Sequence, residues 1–132
     1  MKILITGSRQ ASVEMINYAK AVVKRAKEKG HSIIVGDAGG IDTAVIRECD
    51  RLKVPVEVWG AYGKLRVKSN QDNNQHIEGT YPERDRLMAA RCDMCIAVWD
   101  GQSRGTKLTY DAAVILQKET FLKNFAEVEE CE

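Results

Sequence analysis

A single α/β domain, with a parallel sheet and helices on both faces in a three-layer Rossmann-like arrangement, is predicted by three features of this sequence. Short apolar runs alternate with stretches of helical periodicity; the 132 residues suffice for one core; and three of the apolar runs break at glycine-rich loops. A chain of this length buries roughly two-thirds of the surface its unfolded form exposes. Alternation of strand and helix implies βαβ units, in which every strand-to-helix loop emerges at the strands' carboxyl edge.

The first strand is Lys2 to Thr6, an apolar run short enough to be buried on both faces, and it stops at Gly7, Ser8 and Arg9. A helix follows with Val13, Ile16, Ala19, Val23 and Ala26 on one stripe, Ser12 placed to cap it, Glu14 in its first turn and Gly30 at its stop. Ser32 to Val35 forms the second strand and breaks at Gly36, Asp37, Ala38, Gly39, Gly40, Ile41 and Asp42. Asp42 is expected to cap the next helix, which runs to about Leu52 with Val45, Cys49 and Leu52 inward. The third strand is read as Val54 to Val58, with Pro55 near its start.

From Trp59 to about Thr80 periodicity disappears. The segment carries Lys64, Arg66 and Lys68 and then a polar run, so residues 60–80 read equally as a binding lid or as a disordered insertion. Tyr81, Pro82 and Glu83 open a helix, followed at once by Arg84, Asp85 and Arg86; the two arginines form a solvated face, or at least one of them aims inward at the anion site. Met94 to Val98 is the next strand. It runs into Trp99, Asp100, Gly101, Gln102, Ser103, Arg104, Gly105 and Thr106, and helical periodicity resumes from Lys107 to Gln117. Thr120 to Leu122 is read as a last strand or as continued helix, and residues 126–132 as an acidic tail.

The loop after Val98 has the chemistry of an anion cradle. Its glycines let backbone approach a ligand, Ser103 and Thr106 offer hydroxyls, the next helix presents its N–H groups, and Arg104 adds a fork of donors. An ordinary capped connection is the alternative, and the repetition of the same loop chemistry at Gly7 and Gly36 favours the cradle. A helix dipole contributes about 0.3–1 kcal/mol to an anion and each charge-assisted hydrogen bond about 1.5–3 kcal/mol, so two helix ends with Arg9 or Arg104 suffice for micromolar phosphate binding. The loops carry neither the P-loop sequence nor G-x-G-x-x-G.

Twenty Lys and Arg balance nineteen Asp and Glu, for a net charge of +1, so no global field draws the chain to nucleic acid, which is not an expected partner. No apolar run has membrane-spanning length and the first residues lack a signal peptide's features, which predicts a cytoplasmic protein without membrane contact. Cys92 and Cys95 have C-x-x-C spacing, but Cys49, Cys131, His31 and His76 are scattered; reduced structural cysteines, no metal site and no resident cofactor are expected.

The segments MKILITGSR (1–9), GDAGGID (36–42), ERDRLM (83–88), Cys92-Asp93 and WDGQSRGT (99–106), in that order, resemble the SLOG superfamily. This group of small Rossmann-like proteins includes YspA/YpsA-related proteins, molybdenum-cofactor-carrier-like proteins, LONELY GUY-type phosphoribohydrolases and the Rossmann domain of DNA-processing protein A. The resemblance implies a nucleotide-derived ligand, such as a phosphoribosyl or ADP-ribose-like compound, and a homo-oligomer. Gly7, Ser8 and Arg9 then lie at one end of the pocket, with Gly36, Asp37, Gly39, Gly40 and Asp42 at the next loop. Arg84 faces them, and Asp100, Gly101, Ser103, Arg104, Gly105, Thr106 and Thr109 surround a phosphate. In the phosphoribohydrolase branch the last motif is similar to PGGxGTxxE, and Thr109 stands where that motif has its glutamate. A threonine cannot do a carboxylate's acid–base work, so the resemblance implies binding or sensing first. The alternative is hydrolysis or transfer at a nucleotide's N-glycosidic bond, with Arg84 and Asp85 catalytic; single-stranded DNA binding is a third possibility, against which the lack of an aromatic stacking series weighs.

Overall fold

The computed structural model describes residues 1–126. The acidic tail and Cys131 lie outside the described residues. In chain order the elements are β1 (Lys2–Gly7), α1 (Val13–Lys29), β2 (Ser32–Gly36), α2 (Ile41–Leu52), β3 (Val56–Gly60), β4 (Asn74–His76), α3 (Tyr81–Arg91), β5 (Met94–Trp99), α4 (Arg104–Ile115) and β6 (Glu119–Asn124). All strand pairs are parallel, in the order β4-β3-β2-β1-β5-β6.

Two apolar layers flank the sheet because its strands are buried on both faces. Ile3, Ile5, Ile33, Val35, Val56 and Val58 point toward α1 and α2, where Met15, Ala19, Val23, Val45 and Cys49 meet them. Leu4, Ile34, Trp59 and Cys95 point the other way, against Met88, Ala89 and Ala113 of α3 and α4. The three-layer α/β prediction is thereby met.

Helix ends follow the local chemistry. Ser12 Oγ accepts the Met15 N–H, Thr80 Oγ1 accepts the Glu83 N–H, and α1 stops at Gly30 in the left-handed region. Several boundaries differ from the sequence reading, three of them with a clear local cause. β3 starts two residues later than Val54, because Val54 N–H is still bonded to the Cys49 carbonyl and Pro55 supplies only its carbonyl, to Ile33 N–H. The cap of α2 is Gly40 and not Asp42; Asp42 lies within the first turn, and its Oδ2 accepts the Ala38 N–H at 3.2 Å. Finally, α4 begins at Arg104, not Lys107, so Arg104, Gly105 and Thr106 form its first turn.

The aperiodic stretch 60–80 is threaded with side-chain bonds to backbone. Asn74 Nδ2 donates to the Ser69 and Gln71 carbonyls, Gln71 Nε2 to the Val54 carbonyl, and Asn74–His76 adds the short β4 to the sheet's edge. Polar residues do this work, so hydrophobic periodicity carries no trace of it. The open alternative at residues 120–122 resolves as strand, β6, paired to the whole length of β5.

Candidate functional site

Chain direction fixes where the loops meet. From β1 the sheet grows through β2, β3 and β4 on one side, then resumes with β5 and β6 on the other, so β1 and β5 are neighbours at a switch point whose loops diverge to opposite faces. A cleft of about 730 Å³ opens there at the strands' carboxyl edge. Gly7, Arg9, Gly36, Asp42, Arg84, Asp85, Asp100, Ser103, Arg104, Gly105, Thr106 and Thr109 all line it. The three glycine-rich loops therefore converge, although some ninety residues separate the first from the last.

Ser8, Asp37, Gly39, Gly40 and Gly101 do not line the cleft, and most of them hold its walls together. Ser8 N–H donates to the Val98 carbonyl, Ser8 carbonyl accepts the Ile41 N–H, and Ser8 Oγ accepts the Asp100 N–H, so one buried residue ties β1, α2 and the loop after β5. Gly40 has φ +68°, and a Cβ there would strike the Ser8 and Arg9 carbonyls; at Gly7 a Cβ would strike the Ile41 side chain. These glycines permit close packing of loop on loop. Gly36 does something else, since a Cβ on it would meet Asp42 Oδ2 at 2.8 Å and Arg84 Nη1 at 2.9 Å.

Beneath the cleft lies a buried charge network. Arg84, the inward one of the pair expected at the start of α3, donates from Nη1 to Asp37 Oδ1 at 3.0 Å and to the Trp59 carbonyl at 2.9 Å, and from Nε to Asp85 Oδ1 at 2.8 Å. Arg86 is exposed. Arg66 adds its own bond from Nη2 to Asp37 Oδ1 at 2.8 Å, and its backbone N–H donates to Asp37 Oδ2 at 2.7 Å. Burial alone would raise the Asp37 carboxyl, but the bonds from Arg66 and the charges of Arg66 and Arg84 together bring it below its ordinary value. Asp42 has less help: burial outweighs the Arg84 charge and the Ala38 N–H and pushes it up to about 7. Burial likewise raises Asp85, against the pull of Arg84. Asp37, Asp42 and Asp85 thus face two guanidiniums, and the unfavourable balance is relieved when Asp42 holds a proton.

At the other wall, Asp100 Oδ1 accepts the N–H groups of Gln102 and Ser103 at 2.8 Å, which outweigh its partial burial and lower its pKa. Ser103 stands at the cap position of α4, yet its Oγ bonds Thr106 Oγ1 at 3.1 Å and caps no N–H. The first turn of α4 consequently faces the cleft with its donors uncapped by any side chain. Gly105 has no atom within 4 Å of where a Cβ would stand. Arg9 and Arg104 are exposed and enter no ion pair among the described residues. Thr109 donates its hydroxyl to the Gly105 carbonyl at 2.9 Å and lies beside Asp85.

Sequence reasoning missed Arg66 and Tyr81 as lining residues. The Arg66 guanidinium carbon lies 4.3 Å from the Tyr81 ring centroid, with Tyr62 edge-on to the same ring at 5.2 Å between centroids. Nothing in the local pattern marks Arg66 apart from Lys64 and Lys68; the buried Asp37, 29 residues away, selects it. Cys49, Cys92 and Cys95 are free and buried, and burial pushes the Cys49 and Cys95 thiols up to about 12, which suits packing rather than nucleophilic chemistry. No group of three or more His, Cys, Asp and Glu able to hold a metal occurs among the described residues. No described helix is long and apolar enough to cross a membrane.

Comparison of the whole fold with solved structures identifies its kind. DNA processing protein A from Helicobacter pylori superposes with a TM-score of 0.73 at 18% identity, over 92% of this chain and 64% of that one. The molybdenum cofactor binding protein from Rippkaea orientalis gives 0.77 at 17% identity, over 93% and 76%. The molybdenum cofactor carrier protein from Chlamydomonas reinhardtii gives 0.74 at 17%, over 97% and 78%. The chain shares the Rossmann-like fold of these proteins. It spans a little under two-thirds of the Helicobacter protein and 49% of DNA processing protein A from Streptococcus pneumoniae. No family model and no curated protein matches the sequence. At these identities the likeness is one of fold, and the ligand is argued from the cleft itself.

Proposed function

We propose that this chain binds a nucleotide or nucleotide-derived phosphoribosyl compound in the cleft between β1 and β5, with the phosphate on the first turn of α4. The observation that carries this reading is the pairing of an uncapped helix start with two uncommitted guanidiniums, Arg9 and Arg104, on the rim of one cleft. Backbone donors and the dipole favour an anion there, and the arginines provide bidentate partners. A volume of about 730 Å³ suits a ligand of nucleotide size. At the far end, Tyr81 and the flat Arg66 guanidinium held by Asp37 offer the π-rich surface that a base requires.

Proteins of this fold include, by their names, binders and carriers of the molybdenum cofactor and one studied for single-stranded DNA binding. These neighbours support ligand binding by the fold, and the chemistry of this cleft favours the small molecule. A thermal-shift panel of nucleoside monophosphates, ADP-ribose, free nucleosides and a single-stranded oligonucleotide tests it. A ligand at a hundred times its dissociation constant adds about 2.7 kcal/mol, which raises Tm by several degrees. The expected result is a shift with phosphorylated compounds, absent for nucleosides and lost in Arg104→Ala. A shift produced only by the oligonucleotide would replace this reading with nucleic-acid binding.

A second reading is favoured by one observation. Asp42 lines the cleft with a carboxyl that burial pushes up to about 7, so a share of the population holds a proton at neutral pH that a general acid can deliver to a leaving base. Hydrolysis or transfer at an N-glycosidic bond then takes Arg84 and Asp85 as the charged groups beside the reacting carbon. Free base released from a bound monophosphate, and abolished by Asp42→Asn, would establish turnover.

A further inference from the structure

We propose that β6 is a self-association edge, at which two copies of this chain pair antiparallel across a twofold axis at Phe121 and join their six-stranded sheets into one. The two edges of the sheet are unlike. β4 has three residues, all polar, whereas β6 is six residues long, with Phe121 54% exposed near its middle. A six-residue edge strand with an exposed aromatic is a template for another strand unless something covers it.

The backbone and the charges select one register. Phe125 N–H donates to the Trp99 carbonyl of β5, so by alternation the odd residues of β6 turn their backbone groups inward and Thr120, Leu122 and Asn124 turn theirs outward. Centring an antiparallel pair on Phe121 then makes Thr120 and Leu122 of the second copy a hydrogen-bonded pair. It also sets Phe121 against Phe121, and Glu119 against Lys123, as non-hydrogen-bonded pairs, where opposed side chains come closest. Glu119 and Lys123 enter no ion pair within the chain among the described residues. The twofold satisfies both charges twice. Shifting the register by two residues would set Lys123 against Phe121 instead. Such pairing puts the two α4 helices on one face of the joined sheet, where Val114, Ile115 and Leu116, 45%, 79% and 47% exposed, precede β6 by a two-residue turn.

Sedimentation equilibrium of the wild type, with circular dichroism to verify folding, tests the proposal. The expected result is a dimer that becomes a folded monomer in Phe121→Asp. Glu119→Lys or Lys123→Glu alone opposes like charges twice and raises the dimer dissociation constant about tenfold or more, and the double reversal restores it. These reversals lie at exposed positions and decide the matter even if Phe121→Asp fails to fold. A wild type that stays monomeric, or a dimer indifferent to the charge reversals, overturns the proposal. Neither outcome touches the nucleotide reading, because β6 lines no part of the cleft.

Discussion

Arg84 and Asp42 show how one residue's surroundings decide what its removal reports. The Arg84 side chain is 7% exposed and is the bonded partner of both Asp37 and Asp85, so Arg84→Met strands the buried Asp85 carboxyl and leaves Asp37 to Arg66 alone. A loss of about 3–5 kcal/mol is expected in urea unfolding. Lost ligand binding in that variant would say little about contact with ligand, which is why Arg104 is the better probe. Asp42 behaves in the opposite way. Its carboxyl rises from 3.8 to about 7 on folding, so the folded chain binds more protons than the unfolded one between these values. Stability attributable to this group therefore falls as pH rises from about 4 to about 7, and the full penalty, on the order of 4 kcal/mol, persists above neutrality. Asp42→Asn removes it: the variant's stability relative to wild type is expected to increase by more than about 1 kcal/mol between pH 5 and pH 8. A difference that stays flat across that range would show that Asp42 is ionised throughout.

At the scale of elements, two glycines that look alike in sequence separate by what surrounds them. Gly40→Ala brings a Cβ onto the Ser8 and Arg9 carbonyls at a left-handed φ, with no flexible side chain able to yield, and is expected to destabilise by about 2 kcal/mol or more. Gly105→Ala enters open space in the first turn of α4 and leaves Tm unchanged or slightly higher, because alanine is the better helix former. The added methyl nevertheless stands at the proposed phosphate seat, so the same variant is expected to bind a monophosphate at least about tenfold more weakly. Unaltered affinity in a stable Gly105→Ala would move the phosphate elsewhere. This contrast also marks how far the sequence could be read. Helices and long strands were legible from periodicity, Ser12 and Gly30 from capping chemistry, and the converging loops from the parallel order alone. β4 was not, because polar side chains from Ser69, Gln71 and Asn74 hold it. Nor was the division of the glycines between packing and cleft, which depends on contacts between β1 and α2 some thirty residues apart.

For the whole molecule, charge is nearly balanced overall and unevenly placed: three carboxylates and the Arg84 guanidinium are sunk beneath the cleft, Arg66 reaches in from its edge, and two uncommitted arginines stand on its rim. Under the proposed function such a rim holds an anion locally, while a net charge of +1 supplies no strong global field. Arg66 escaped the sequence reading because its partner, Asp37, is brought to it by the fold, while Arg84 was found because it opens a helix beside an expected site. Thr109, whose hydroxyl is committed to the helix carbonyl of Gly105, lies beside Asp85. The most direct measurement is calorimetric titration of a nucleoside monophosphate and of the corresponding nucleoside into the wild type and Arg104→Ala. Phosphate-dependent binding at one site per chain, weakened about tenfold or more by the substitution, is the predicted result. Equal affinity for nucleoside and monophosphate, or binding indifferent to Arg104, would contradict a phosphate seated on the first turn of α4.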